Sequence, residues 1–477
     1  MGSVTPFYAS GAQTFGLESF DVRSPRHGEL VATVSVPTAE QVEQAVTDLD
    51  SVRGELQRTS AGERASVLDH VSRELGRRRD EVAHLIALEN GKPRQWALAE
   101  VDRGASTFRW AAEEARRFSG EVQRLDTEPG GNGRIALVRR FPRGPVLAIT
   151  PFNFPLNLVA HKLAPAIAVG APVLVKPAPA TPLTALLLAE IIAETDWPAR
   201  ALSVLTVPNE RMPELVADPR LPVVSFTGSG PVGWSIRDRT PRKHVSLELG
   251  GNAAVVVDRD WADLDTAARR IALFATYQAG QSCISVQRVI VHRDVAEAFI
   301  PALQAAVREI ASRTMDPERD VVGPVINDAA AERIESWVAE AVAEGADLLV
   351  GGPRRGRLVQ PTLLRDVPRH TALGSEEVFG PVLTVTTASS VEDAFSQVND
   401  SRYGLQVGVF TQSMETAFTA HRELEVGGVV IGDVPSYRAD QTPYGGWKES
   451  GVGREGVAAA MEDLTEPRVM ILTGMPL

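Results

Sequence analysis

Between residues 61 and 75, Leu68, Val71 and Leu75 recur at helical spacing, with Arg73 and Glu74 on the other side. A second helical run, 81–89, ends at Asn90-Gly91 and then Pro93, which is a C-terminal stop signal. A third covers roughly 96–118, so the first 120 residues read as mainly helical. The turn cluster Pro129-Gly130-Gly131-Asn132-Gly133 precedes a strand-like run at 135–139, and together they predict a hairpin apart from the main sheet. From residue 145 the period changes. Short β-rich runs at 146–149, 173–175, 203–205, 223–227 and 245–249 alternate with helical segments that include 157–169 and 182–195. A second series has strand candidates at 253–257, 286–291, 382–385, 407–410 and 429–431, with helical patterns at 261–277, 295–312 and 329–344. Alternation of this kind predicts parallel strands joined by crossover helices. The expected fold class is α/β, with two such domains and a small β appendage.

With 477 residues, of which 44% are hydrophobic, the chain can build two or three domains without metal or disulfide staples. The 49 Lys and Arg against 61 Asp and Glu leave a formal charge of −12, the wrong sign for a nucleic-acid binder. The basic run Arg77-Arg78-Arg79 is followed at once by Asp80 and Glu81 and reads as a solvated helix face. The single cysteine, Cys283, rules out an intramolecular disulfide and a multi-cysteine zinc site, and no metal is expected. Residues 2–20 carry neither a basic start nor an apolar core of the kind a signal peptide needs. The longest nearly apolar stretch, 163–175, is broken by Pro165, Gly170 and Pro172 and is too short to span a bilayer. A cytoplasmic protein with no membrane partner is the expectation.

Gly228-Ser229-Gly230-Pro231-Val232-Gly233 matches GxGxxG between a strand run and a helical run, and Glu248 follows Gly228 by 20 residues. That is the spacing of a Rossmann phosphate loop and its ribose-binding acid. Two features count against assigning Glu248 to a ribose. At least three β-runs precede the motif, and Glu248 lies just before a domain change, 35 residues ahead of Cys283. A helix start at Ser229 that receives a phosphate fits either way.

Cys283 stands in Ala279-Gly280-Gln281-Ser282-Cys283. A lone free cysteine is most often a small buried apolar residue. A nucleophilic one needs a base, oxyanion donors and open backbone, and Gly280 offers the last. Glu248 could activate water against a thioester, or merely pair with Lys243 or Arg242. Asn153 could aim an amide N–H at an oxyanion, or simply serve the turn Pro151-Phe152-Asn153-Phe154-Pro155.

That turn, Val175-Lys176-Pro177, Phe226-Thr227-Gly228-Ser229, Glu248-Leu249-Gly250-Gly251, Gly280-Gln281-Ser282-Cys283, Glu376-Glu377-Val378-Phe379-Gly380-Pro381 and Pro443-Tyr444-Gly445-Gly446 follow one another in order. In order and spacing the chain resembles the aldehyde dehydrogenase superfamily from about residue 18 onward, nearest the phosphonoacetaldehyde, lactaldehyde and semialdehyde branch. The resemblance implies that Cys283 adds to the aldehyde as a thiohemiacetal, with Asn153 and the Cys283 N–H holding the oxyanion. Loss of hydride to nicotinamide then leaves a thioester, hydrolysed by water activated by Glu248, with Lys162 and Glu455 as a proton relay. It assigns Lys176 to the adenosine ribose, Ser229 to the pyrophosphate, Glu377 to the nicotinamide ribose and Phe379 to its flank. It also lines the cofactor cleft with Ile149, Thr150, Pro151, Phe152, Phe226, Thr227, Gly228, Val232, Leu249 and Gly250. The implied architecture is an aldehyde dehydrogenase fold with two Rossmann-like domains. Residues 1–118 and 143–251 bind cofactor, 252–464 carry catalysis, and 119–142 with 465–477 form an oligomerisation element of a homodimer or homotetramer.

One departure concerns the cofactor. NAD-preferring members commonly carry Glu three residues after the lysine, where this chain has Pro179, so use of NAD, NADP or both is expected. Alignment of the flanking motifs puts Arg103 and Arg438 on opposite sides of the family's substrate tunnel. Unpaired guanidiniums there would favour a small anionic aldehyde, unless Arg103 pairs with Glu100 or Asp102 and Arg438 with Asp440. The alternatives are a neutral hydroxyaldehyde such as lactaldehyde or glyceraldehyde, a CoA-acylating enzyme and a non-catalytic relative. Retention of Glu248, Cys283 and Asn153 disfavours the last two.

Overall fold

The computed structural model describes residues 4–314 and 320–474; residues 1–3, 315–319 and 475–477, included in the expected domain ranges, lie outside them. The first of two large sheets runs in the order Ala12–Thr14, Phe7–Ala9, Leu202–Val204, Val173–Lys176, Val146–Ile149, Val223–Thr227, His244–Glu248, Gly451–Val452. Its five central strands are parallel. Helices cover both faces of such a sheet, so its strands need apolar side chains on both sides. Val146–Ile149 and Val173–Lys176 are accordingly buried throughout. Helix Asn157–Val169 is buried along its whole length, including Asn157, His161 and Lys162. A helix with no solvent face must find partners for such residues inside the protein.

The second sheet has the order Asp347–Val350, Thr362–Arg365, Val382–Ala388, Arg288–His292, Ala254–Val257, Gln406–Phe410, Gly428–Ile431. Only the edge pair Asp347–Val350 with Thr362–Arg365 is antiparallel. The alternating β-runs and helices expected after residue 145 are thus present, in two mixed α/β units. The hairpin expected around 129–139 pairs Glu121–Arg124 with Arg134–Pro142, and Thr465–Thr473 joins its other edge to make a three-stranded sheet.

The mainly helical reading of the first 120 residues needs correction. Four strands precede the first helix: Phe7–Ala9, Ala12–Thr14, Glu18–Arg23 and Leu30–Val36. The first two extend the edge of the large sheet, where three-residue strands are too short to display a period. The other two form a separate hairpin. Strands Asp347–Val350 and Thr362–Arg365 were likewise not expected. Among the described residues no helix is long and apolar enough to cross a membrane.

Candidate active site

The turns that follow three parallel strands of the first sheet meet segments of the second unit across a cleft of about 700 Å³. The first sheet contributes Pro151 to Phe154, Thr227 to Ser229 and Glu248 to Gly250; the other side contributes Cys283, Glu377, Phe379 and Arg438. Ligand sites of open parallel sheets form at such carboxyl ends.

A sharp turn delivers Cys283. Gln278, Ala279 and Gly280 are successively left-handed, with φ of 53°, 56° and 67°. Such backbone persists only where its surroundings over-determine it. Here the Gln278 side chain donates to Asn153 O, and Gln281 donates to Pro324 O at 3.3 Å and accepts from Ile326 N at 2.9 Å. Gly280 cannot be replaced, because a Cβ there would overlap Gly380 O. Asn153 Nδ2 donates to Gln281 O at 3.0 Å, which leaves its second amide hydrogen for another acceptor, and its Oδ1 is buried without a partner. Lys92 Nζ, fully buried against Glu100, holds Asn153 O from behind at 2.9 Å, and Glu100 in turn accepts from the Leu156 and Asn157 amides.

Cys283 Sγ lies 3.1 Å from the Tyr444 hydroxyl. Burial pushes the thiol up to about 12, against the pull of that hydrogen bond. Glu248 faces the same cleft with both carboxylate oxygens buried and unpartnered. Its carboxyl is held well above the usual range, first by burial and then by the Glu455 charge. Burial would raise Glu455 as well, but Lys162 at 3.2 Å and Arg438 at 3.0 Å outweigh it and hold that carboxyl below its ordinary value. Lys162 and Glu455 are therefore paired, and Glu455 reaches Glu248 through charge rather than a hydrogen bond. Pairing of Glu248 with Lys243 or Arg242 does not occur; the Lys243 ammonium donates to the carbonyls of Val216 and Asp218.

The expectation of unpaired guanidiniums needs correction: both arginines are ion-paired, though not with the local partners offered as the alternative. Glu100 is taken by Lys92 and Asp102 by Arg79, so Arg103 Nε reaches Asp440 at 3.3 Å instead. Arg438 pairs with Glu455, because the Tyr444–Glu455 bridge brings that carboxylate beside it. Arg103 Nη2 and Arg438 Nε remain buried without partners, and both residues line the cleft. His161 also lines the cleft, its Nε2 3.4 Å from Asp440 Oδ1. Burial, then Arg438 and Arg103, hold its imidazole well below its usual value, so it is neutral. The sequence reading missed His161, although a histidine beside Lys162 in an otherwise apolar run was a visible signal.

The candidate cofactor residues divide into two groups. Pro151, Phe152, Thr227, Gly228, Ser229, Leu249, Gly250, Glu377 and Phe379 line the cleft, with Phe379 edge-on to Phe152. Ile149, Thr150, Lys176, Pro179, Phe226 and Val232 do not line it, and neither do Lys162 and Glu455. Ser229 caps helix Gly230–Arg239 without a side-chain hydrogen bond. First-turn N–H groups of such a helix are suited to a phosphate. Lys176 is buried at its strand end, where it donates to Asn209 Oδ1, and burial lowers its ammonium to about 8. Pro179 and Val232 are exposed. Glu377 accepts from Gly251 N at 3.1 Å, and burial lifts it to about 7. A helix start and a buried carboxylate on the cleft, with a buried lysine outside its lining, fit a dinucleotide. Among the described residues no group of His, Cys, Asp and Glu could hold a metal ion.

Residues 12–470 match the aldehyde dehydrogenase family. The chain is 41% identical over 468 residues to the 3-sulfolactaldehyde dehydrogenase of Priestia megaterium, covering 98% of this chain and 97% of that one. It is 34% identical to the lactaldehyde dehydrogenase of Methanococcus maripaludis, covering 95% and 97%. Among solved structures it resembles aldehyde dehydrogenase 21 from Physcomitrella patens, in complex with the reaction product succinate, with TM-score 0.97, 40% identity and coverage of 100% and 99%. The NADP-dependent glyceraldehyde-3-phosphate dehydrogenase from Bacillus halodurans, complexed with NADP, follows at TM-score 0.94 and 32% identity, covering 99% and 100%. On the ordered motifs, the two-sheet cleft and these likenesses together, the chain belongs to the aldehyde dehydrogenase family and is an NAD(P)-dependent oxidoreductase of small aldehydes.

Proposed function

We propose that the protein oxidises a small aldehyde carrying a sulfonate, carboxylate or phosphonate group to the corresponding acid. The observation that carries this reading is the charge balance beside Cys283. Arg103, Lys162 and Arg438 face Asp440 and Glu455, while burial disfavours charge on the third carboxylate, Glu248. Arg103 Nη2 and Arg438 Nε are left unpartnered in the cleft. Leaving buried donors empty costs about 1–3 kcal/mol each, so an anionic substrate tail is favoured there over an apolar one. The names of the similar sulfolactaldehyde dehydrogenase and of the succinate-bound enzyme point the same way.

In this reading Cys283 loses its thiol proton to water in the cleft, Sγ bonds to the carbonyl carbon, and Asn153 Nδ2 and the Cys283 N–H stabilise the oxygen that becomes charged. A nicotinamide nucleotide, when bound, supplies the hydride acceptor. Thr227, Ser229 and the following helix start would hold its phosphates, and Lys176 and Glu377 its riboses. Glu248 takes the proton of the water that cleaves the thioester, and the Glu455–Lys162 pair behind it, which acts on Glu248 through charge, would receive that proton once water joins the two carboxylates. Residues 1–118 and 143–251, which carry the first sheet apart from its edge strand Gly451–Val452, would form the cofactor domain, and 252–464 the catalytic domain.

The second reading is a neutral hydroxyaldehyde, favoured by the similar lactaldehyde dehydrogenase and by the internal pairing of both arginines. Arg103→Met separates the two. It removes an unpartnered donor and leaves Glu455 paired, freeing only Asp440, which keeps Thr107, whereas any change at Arg438 frees the relay carboxylate. KM for sulfolactaldehyde or succinate semialdehyde should rise by one to two decades, from the loss of about 1.5–3 kcal/mol in charge-assisted hydrogen bonding. Lactaldehyde should be nearly unaffected. Equal effects on both classes would make Arg103 structural and remove the anionic reading.

Lys176 without an acidic residue at Pro179 leaves nothing at that position to repel a 2′-phosphate, so we expect comparable kcat/KM with NAD and NADP. Steady-state kinetics with each nucleotide check this, and strict use of NAD contradicts it. For self-association, strand Thr465–Thr473 is the edge of the three-stranded sheet, and its Val469, Met470 and Ile471 are all more than half exposed. An apolar edge strand of this kind invites pairing with a second copy. Light scattering at micromolar concentration should give the mass of a dimer or tetramer; a monomer would refute the assignment.

A further inference from the structure

We infer that Tyr444 is a catalytic residue, whose phenol O–H donates a hydrogen bond to Cys283 Sγ and stabilises it as the attacking thiolate. The inference rests on the reading of Cys283 as nucleophile and adds a group that the mechanism above leaves idle. Tyr444 lies in the Pro443-Tyr444-Gly445-Gly446 motif, and its hydroxyl is 3.1 Å from the sulfur. Among the described residues that hydroxyl has no other hydrogen-bond partner.

The ring is fixed in place for the task. Tyr444 and Glu455 exchange backbone hydrogen bonds, Tyr444 N to Glu455 O at 2.8 Å and Glu455 N to Tyr444 O at 2.6 Å. Ile284 and Leu405 pack against the ring, and the Arg438 guanidinium sits 3.9 Å from its centroid. A cation over the face withdraws electron density from the phenol and makes its O–H a better donor.

Either atom could donate while the sulfur is a thiol, but a thiolate can only accept. The bond therefore becomes charge-assisted on ionisation, and such bonds are about twice as strong as neutral ones. The difference between the two states is what favours the thiolate. The need is clear from the surroundings. Burial, Glu377 and Glu248 all disfavour a negative sulfur, while Tyr444 and Arg438 favour it. Tyr444 keeps its own proton, because burial and then Cys283 hold its phenol well above the usual range.

The test exploits the single cysteine, which makes iodoacetamide a reporter of one residue. Its alkylation rate would be followed by mass spectrometry across pH in the wild-type enzyme and in Tyr444→Phe. Loss of a group that stabilises the anion raises the thiol pKa. The profile of the variant should move up by about one pH unit, with alkylation about tenfold slower below both midpoints. Its kcat/KM should fall by the same factor for sulfolactaldehyde and for lactaldehyde, since both need the thiolate, at unchanged melting temperature. Coincident alkylation profiles would overturn the role of Tyr444, and so would a fall confined to anionic aldehydes. Wild-type protein that is fully alkylated at Cys283 yet still oxidises aldehyde would instead overturn the assignment of the nucleophile itself.

Discussion

Cys283→Ala should abolish aldehyde oxidation while leaving the fold and nucleotide binding in place. The substitution removes only a sulfur from a side chain that packs against the small cluster of Ile284, Leu405 and Tyr444. Deleting one partly buried atom costs on the order of 1 kcal/mol, well within the stability of a domain. The covalent route has no substitute, since no second cysteine exists and the serine beside it, Ser282, is neutral and buried. Loss of a nucleophile that acts in concert with a base removes roughly four orders of magnitude or more in kcat. Reduced-nicotinamide absorbance reads the activity, and fluorescence quenching by NADP reads binding. Turnover near wild type would move the nucleophile elsewhere.

Glu248→Gln should split the reaction in time. Thioester formation needs Cys283 and Asn153, so a burst of reduced nicotinamide approaching one equivalent should still appear. Hydrolysis then lacks its base, and steady turnover should fall by about two to four decades. Gln is nearly isosteric, and both oxygens of Glu248 are unpartnered, so no ion pair is broken. The pH dependence supplies a second check. Burial, followed by the Glu455 charge, raises the carboxyl above its usual range, so its ionised fraction and the hydrolysis rate climb with pH through that raised value. That limb should be missing in the Gln variant. Unchanged steady turnover would take the water-activating role from Glu248. Acyl transfer to CoA at a rate matching the wild-type turnover would favour the acylating alternative.

Much of the arrangement was legible in the sequence because it is carried by local patterns. Helix 157–169 was bounded correctly, since its apolar run ends at Gly170, which adopts the left-handed conformation with φ of 77°. Strands 146–149 and 223–227 likewise appear where the β-rich runs stood. The short N-terminal strands were not legible, because three residues at a sheet edge carry no period. Residues that line the cleft, among them Pro151, Glu248, Cys283 and Glu377, were named from motifs. Of the pairings between distant segments, Lys162 with Glu455, 293 positions apart, was reached only through the family motifs, and Arg103 with Asp440, 337 positions apart, was not reached at all. Nearby residues offered only Glu100 and Asp102 as alternatives to an unpaired Arg103, where the tertiary fold had already committed both carboxylates to Lys92 and Arg79 and supplied Asp440 instead.

The left-handed turn before Cys283 has a mechanical consequence. Gln278 reaches across the cleft to the Asn153 carbonyl, and Asn153 reaches back to the Gln281 carbonyl at 3.0 Å. The two segments belong to different sheets, yet these reciprocal tethers clamp them together within a few residues of the sulfur. The spacing between sulfur and amide is thereby set by two short local tethers rather than by the wider packing of the two units, and a site built across a seam can keep the tolerance of one built within a single rigid body.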